Sequence, residues 1–208
     1  MTAIDTYPSD VAFTPAVKAI QARKGSREAY GRVEQRGWRT EVDENLEAFL
    51  ADANSFYFAT ASAEGQPYIQ HRGGPKGFLK VLDKQTLAFA DYAGNQQYLT
   101  QGNLSENPKA YIFVMDYAHR RRVKIWGEAR VVEDDDAMTD ALMPKGYRAR
   151  PEQVILFKIA AWDTNCPQHI PQKFDAPDVA AALAARDQRI AELEAQVAAL
   201  TGGTTAEG

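Results

Sequence analysis

Between residues 56 and 133 the chain is a succession of short aromatic and β-branched runs separated by turn residues, and that rhythm limits its fold more than any other feature. Residues 56–61 are aromatic and small. Glu64, Gly65, Gln66 and Pro67 supply a turn, after which residues 68–72 return as a hairpin. Residues 78–82 and 86–90 read as a second hairpin around Asp83, Lys84 and Gln85, and residues 110–116 and 121–132 as a third around Tyr117, Ala118 and His119. Residues 153–162 form the last strand. Six or seven strands at hairpin spacing, with few long crossovers, predict a mainly β fold built as an antiparallel barrel.

The flanks read differently. Thr14 followed by Pro15 is an N-cap with proline at the first helical position, opening a helix to about Lys24. Gly25 and Ser26 break it, and a second short helix covers residues 27–36. Asp43 caps a third, preceded by Val42 as a staple, with Leu46, Phe49, Leu50 and Ala53 on the face that should pack against the barrel. Residues 95–103 read as a short helix, and the acidic run 133–136 begins another. At the C-terminus Val179, Leu183, Arg186, Ile190, Leu193, Val197 and Leu200 alternate at spacings of four and three, about three heptads. Gly202 and Gly203 end that helix. A helix laid on its own barrel and a short coiled coil with another subunit both fit the pattern. The expected division is a helical extension over 1–54, a barrel domain over 55–170 and a terminal helix over 178–201.

With 208 residues, 45% hydrophobic and 25% charged, the chain can bury a sizeable core. A net charge of −4 argues against general nucleic-acid or membrane affinity, which makes the cluster Arg120, Arg121 and Arg122 a local feature. A single cysteine, Cys166, excludes an intrachain disulfide and suits a reducing cytoplasm. The first residues lack the basic start and apolar stretch of a secretory signal, so a cytoplasmic location is expected.

Chemistry concentrates in four places. His71, Arg72, Lys76 and Lys80 surround a Gly73-Gly74-Pro75 corner, where glycine permits close approach and the cations suit an anionic ligand. A hairpin bulge with solvated charges is the alternative. Gly94, Asn95, Gln96 and Gln97 follow a strand and open the short helix, the arrangement of a neutral phosphate cradle or of a plain N-cap at Asn95. On the strand from residue 121, Arg122 and Lys124 share one face, with Arg121, Val123 and Ile125 on the other. A cation turned inward there needs an anionic partner, whereas an edge strand would carry those charges in solvent. Cys166 and His169 lie close in sequence, but no second cysteine or metal-spaced histidine accompanies them, so a structural or pocket-lining role is expected.

Taken in order, these pieces resemble the pyridoxamine 5′-phosphate oxidase-like family of FMN-binding split barrels. The resemblance covers roughly residues 45–165 and is carried by residues 56–61, Gly65-Gln66-Pro67, residues 77–83, residues 87–91, Asn107-Pro108-Lys109-Ala110 and residues 122–129. Residues 71–76 and 165–170 look like a bacterial subgroup of these flavoproteins. The resemblance implies a split-barrel homodimer with FMN at the subunit interface, acting as an oxidoreductase on a small molecule or NAD(P)H. It places the cofactor contacts at Arg72, Lys76, Phe78, Leu79, Lys80, Asp91, Asn95, Gln96, Arg122 and Lys124. Asn95, Gln96 and Gln97 align with a serine-arginine-lysine phosphate cluster of the oxidases, and Arg122 with a glutamine at the flavin ring. The oxidases' C-terminal arginine-x-histidine segment has no counterpart here, which sets vitamin B6 oxidation aside. No catalytic acid or base is assigned. A non-catalytic flavin-binding or flavin-sensing module with a partner-recruiting terminal helix remains the alternative, followed by haem or deazaflavin binding.

Overall fold

The computed structural model describes residues 7–164 and 167–202. Cys166, expected to line a pocket or serve the framework, lies outside them. After a 3-10 turn at Pro8–Val11 come α1 (Pro15–Arg23), α2 (Arg27–Arg36) and α3 (Glu44–Asp52). The sheet strands are β1 (Ser55–Ala61), β2 (Pro67–Gly73), β3 (Lys80–Val81), β4 (Thr86–Tyr92), β5 (Lys109–Asp116), β6 (Arg121–Val132) and β7 (Pro151–Thr164). Helix α4 (Leu99–Glu106) lies between β4 and β5, α5 (Asp136–Leu142) between β6 and β7, and α6 (Ala176–Gly202) ends the described chain. No helix among the described residues is long and apolar enough to cross a membrane.

The contacts divide the chain into two compact units. One holds Met1–Asp116 and Arg121–Pro167; the other holds Tyr117–Arg120 and Gln168–Gly208. In the second unit the Lys173 N–H donates to the Tyr117 carbonyl at 3.4 Å, the Gln172 amide donates to the Ala118 carbonyl at 2.7 Å, and α6 follows.

The first unit is a seven-stranded antiparallel sheet in the order β2-β1-β5-β6-β7-β4-β3, a split barrel with peripheral helices. Alternation decides which face is core. Phe56 and Phe58 of β1, Ile112 and Val114 of β5, Val123 and Ile125 of β6 and Phe157 of β7 point inward, all almost fully buried. Helix α3 closes this core with Leu46, Phe49 and Leu50, and the Asp43 carboxylate caps it by accepting from the Leu46 N–H at 2.8 Å. Thr14 and Asp135 cap α1 and α5 in the same way, at 3.3 and 2.9 Å. Gly127 sits at a bulge between β6 and β7, where a Cβ would meet the Lys158 carbonyl oxygen at 2.1 Å.

Two expected elements differ. The strand expected over residues 78–82 is only Lys80–Val81, because the Phe78 N–H is taken by the Pro75 carbonyl at 3.0 Å in a turn with Gly77 at φ 71°, which keeps Phe78 out of the ladder. The helix expected from Asn95 begins four residues later at Leu99, because Gln96 (φ 59°) and Tyr98 (φ 54°) adopt left-handed backbone that a right-handed helix cannot include.

Candidate functional site

The backbone hydrogen bonds leave β2 and β3 as the two ends of the sheet. Side chains cross the gap instead. Arg72 stands opposite Phe56 on the core-facing side of β2, and its guanidinium reaches Asp91 near the end of β4. One guanidinium nitrogen donates to the Asp91 carboxylate and the other to the Thr100 hydroxyl at 3.3 Å. Thr100 in turn donates to the Gln70 side-chain oxygen at 3.2 Å, and the Gln153 amide donates to the second Asp91 oxygen at 3.0 Å. Gln153 is directly opposite Asp91 in the β4–β7 register. The guanidinium also lies 5.9 Å from the centre of the Phe89 ring.

This cluster is buried: the Arg72 side chain is 12% exposed and Asp91 10%. Burial pushes the Asp91 carboxyl above its usual range, against the pull of Arg72 and the Gln153 amide, and lowers the Arg72 guanidinium from its ordinary value. A buried charge of either sign is costly alone, so the two hold each other. The Arg72 Nε remains buried without a hydrogen-bond partner, a donor in surplus over what the protein supplies.

A cleft opens over the cluster, with Gln70, Arg72, Asp91 and Thr100 at its base and the 94–98 loop along its rim. The Asn95 side-chain oxygen accepts from the Gln97 N–H at 3.2 Å, an Asx turn that takes up one of the amides expected to cradle an anion. The uncapped N–H groups at the start of α4 lie in the same cleft, beside Leu99, Thr100 and Gln101. The helix N-terminus thus stands at Leu99, not at Asn95. Of the expected contacts, Arg72, Asp91, Asn95 and Gln96 converge here.

The others lie elsewhere. Lys76 is exposed in the turn after β2, and Lys80 stands half-buried opposite Ala88 on β3. Phe78 and Leu79 are core side chains, each 2% exposed, with Phe78 stacked on Phe56 at 5.3 Å. Arg122 and Lys124 pair across β5 with Met115 and Phe113, and Phe113 pairs with Tyr57, so both lie on the outer face of the sheet. Arg72, paired with the inward Phe56, is on the opposite face, about three strand spacings or ~14 Å along the sheet.

That outer face is aromatic. Trp38 stacks on Trp126 at 4.8 Å, and the Lys124 ammonium lies over both rings while pairing with Asp163 at 3.0 Å. Burial pushes the Tyr111 hydroxyl up to about 12. The Arg122 Nε is a second buried donor without a partner. A groove of about 710 Å³ runs along the face past Ala59, Tyr111 and Trp126.

Sequence reading missed Gln70, Thr100 and Gln153. Gln70 was readable, since a residue two before Arg72 shares its face. Gln153 and Thr100 were not, because each arrives through pairing across 62 and 28 residues of chain.

Among curated proteins nothing matches the chain. Among solved structures, HupZ of Group A Streptococcus is 16% identical, over 64% of this chain and 99% of its own, with a TM-score of 0.47. An FMN-binding protein from Syntrophomonas wolfei is 13% identical, over 70% and 97%, also at 0.47. An FAD-binding protein from Mycobacterium smegmatis is 14% identical, over 61% and 97%, at 0.40. Likeness at this level carries nothing about ligand or activity. The sequence profile of the pyridoxamine 5′-phosphate oxidase family is more telling: it matches residues 42–166, which include β1 to β7 and the Arg72 cluster, and this chain belongs to that family.

Proposed function

We propose that the protein binds FMN as a homodimer and works as an oxidoreductase, exchanging hydride or electrons between the flavin and a small molecule or NAD(P)H. The observation that carries this reading is the buried Arg72, clamped by Asp91 and Thr100 with its Nε still unsatisfied beneath a polar cleft, inside the segment that matches the family. An anionic phosphate oxygen suits that donor, and the side chains of Asn95 and Gln96 line the same cleft. The group fits the residues present. Bound there, the flavin supplies the redox chemistry of its ring.

The chain's own residues hold and orient. Arg72 binds the phosphate, while Asp91 and Gln153 fix the guanidinium so that little side-chain entropy is lost on binding. Because Arg72 and Arg122 lie on opposite faces of one sheet, Arg122 reaches the same flavin only from a second copy. The aromatic outer face, with Tyr57 38% and Ile69 63% exposed, is the surface offered to that copy.

The visible spectrum of the freshly purified protein, with mass spectrometry of whatever heat releases, tests the cofactor. FMN release supports the reading; a Soret band or another nucleotide replaces it. A titration of apoprotein with FMN then tests the site. Arg72→Lys keeps a cation beside Asp91 but loses the fork, and is expected to weaken FMN binding at least tenfold, roughly 1.4 kcal/mol. Unchanged affinity in a folded Arg72→Lys variant would remove the phosphate from this cleft.

A further inference from the structure

Helix α6 carries an apolar stripe that the proposed function leaves unexplained. It runs 27 residues without an internal break, about 40 Å. Its apolar residues form one seam: Leu183, Ile190 and Val197 at heptad position a, with Val179, Leu193 and Leu200 at d. That seam faces solvent, with Val179 43%, Leu183 53%, Ile190 52%, Leu193 43% and Val197 58% exposed. Burying such a stripe against a partner is favourable, because it removes contiguous apolar surface from water.

We infer that α6 pairs with α6 of a second copy of this chain as a parallel, in-register, two-stranded coiled coil. Three features select that occupant. The last two heptads put β-branched Ile190 and Val197 at a and Leu193 and Leu200 at d, the combination that favours parallel dimers. The flanking charges are self-complementary in this register: Arg189 at g faces Glu194 at e of the second helix. Arg186, which interrupts the seam at d, lies next to Asp187 at e of the second helix, so the break in the stripe carries its own counter-charge. The antiparallel arrangement that aligns the same seam sets Asp187 against Glu194, like against like, and leaves Arg189 facing Gln196. A polar d residue then serves as a register pin at a cost in stability.

About three heptads are marginal by themselves, so the pairing draws on the local concentration set by the rest of the chain. A parallel in-register pair has two-fold symmetry, the commonest symmetry of a homodimer. The α6 pairing does not require flavin, and the same result is expected for apoprotein and for protein loaded with FMN.

The test is disulfide trapping in the full chain, with Cys166→Ser to remove the native thiol. Leu183→Cys at a is compared with Gln188→Cys at the outward f position, each oxidised with diamide and read on a non-reducing denaturing gel. A parallel pair puts the two 183 positions side by side, and most of the Leu183→Cys protein should run as a covalent dimer, with at least tenfold less from Gln188→Cys. In the antiparallel arrangement the two 183 positions are about 25 Å apart, beyond the reach of a disulfide. Arg189→Glu should then lower the Leu183→Cys yield severalfold, and adding Glu194→Arg should restore it. Circular dichroism confirms that each variant keeps its helix. No dimer from a helical Leu183→Cys, equal trapping at 183 and 188, or a yield indifferent to the charge swap would each overturn the pairing.

Discussion

Among its described residues the first unit buries two carboxylates beside arginine, and their proton affinities move in opposite directions. Glu34 of α2 is 2% exposed and meets both Lys18, at 3.0 Å, and Arg27. Burial works against its charge, yet Arg27 and Lys18 outweigh it and hold Glu34 below the usual carboxylate range. Asp91 meets a single cation among the described residues, Arg72, and the neutral Gln153 amide, with Glu152 adding repulsion; there burial prevails and the carboxyl rises. The difference lies in the number and exposure of the cations. Lys18 and Arg27 keep 28% and 32% of their side-chain surface, so they bring charge to Glu34 without being fully stripped of water; Arg72, at 12%, is nearly as desolvated as Asp91. The Glu34 cluster ties the N-terminal helices together. The Asp91 cluster holds its cation where burial costs most.

The largest effect should come from breaking the costly pair. Asp91→Ala leaves Arg72 and Gln153 without both the counter-charge and the acceptor oxygens and should destabilise the protein by about 3–5 kcal/mol in chemical denaturation. Replacing both partners, Arg72→Met with Asp91→Leu, should recover most of that stability while abolishing FMN binding. If the double variant is as unstable as the single one, the pair holds the seam between β2 and β4 together and is more than a ligand device.

Glu34→Gln comes next, at about 1–2 kcal/mol near neutral pH, because its two cations can return to water. The pH dependence separates the two acids. Glu34 has a depressed pKa in the fold, so its contribution is present above the ordinary carboxylate pKa and lost as pH falls through the folded value. The gap between wild type and Glu34→Gln should therefore shrink on acidification below about pH 4.3. Asp91 has a raised pKa, so its contribution is fully present below the ordinary carboxylate pKa and lost as pH rises through the folded value. Parallel pH profiles for Glu34→Gln and Asp91→Ala would dissolve the comparison.

The same contrast explains what could be read from the chain. Local rules found α2, the caps at Thr14 and Asp43, and the bounds of β6, because each depends on residues a few positions apart. They also put Arg122 and Lys124 on one face, a consequence of period two alone. They failed at residues 95–98, where left-handed Gln96 and Tyr98 displace the helix start, since neither residue type announces a positive φ. Arg72 and Asp91 were each singled out, but as separate ligand contacts. Their contact spans 19 residues and depends on the curl of the whole sheet, which no local window contains.

Thr100→Val gives the smallest effect and the finest division. The hydroxyl accepts from Arg72 and donates to Gln70, so its removal leaves one guanidinium nitrogen and the Gln70 oxygen without a partner while the Arg72–Asp91 pair stays intact. Loss of a buried hydrogen bond of this kind should cost about 1 kcal/mol of stability. If Thr100 chiefly aims the guanidinium at the cleft, FMN affinity should fall by more than stability does, because a freed arginine must be ordered again on binding. If both fall together, Thr100 belongs to the framework, and the geometry of Arg72 is set by Asp91 and Gln153 alone.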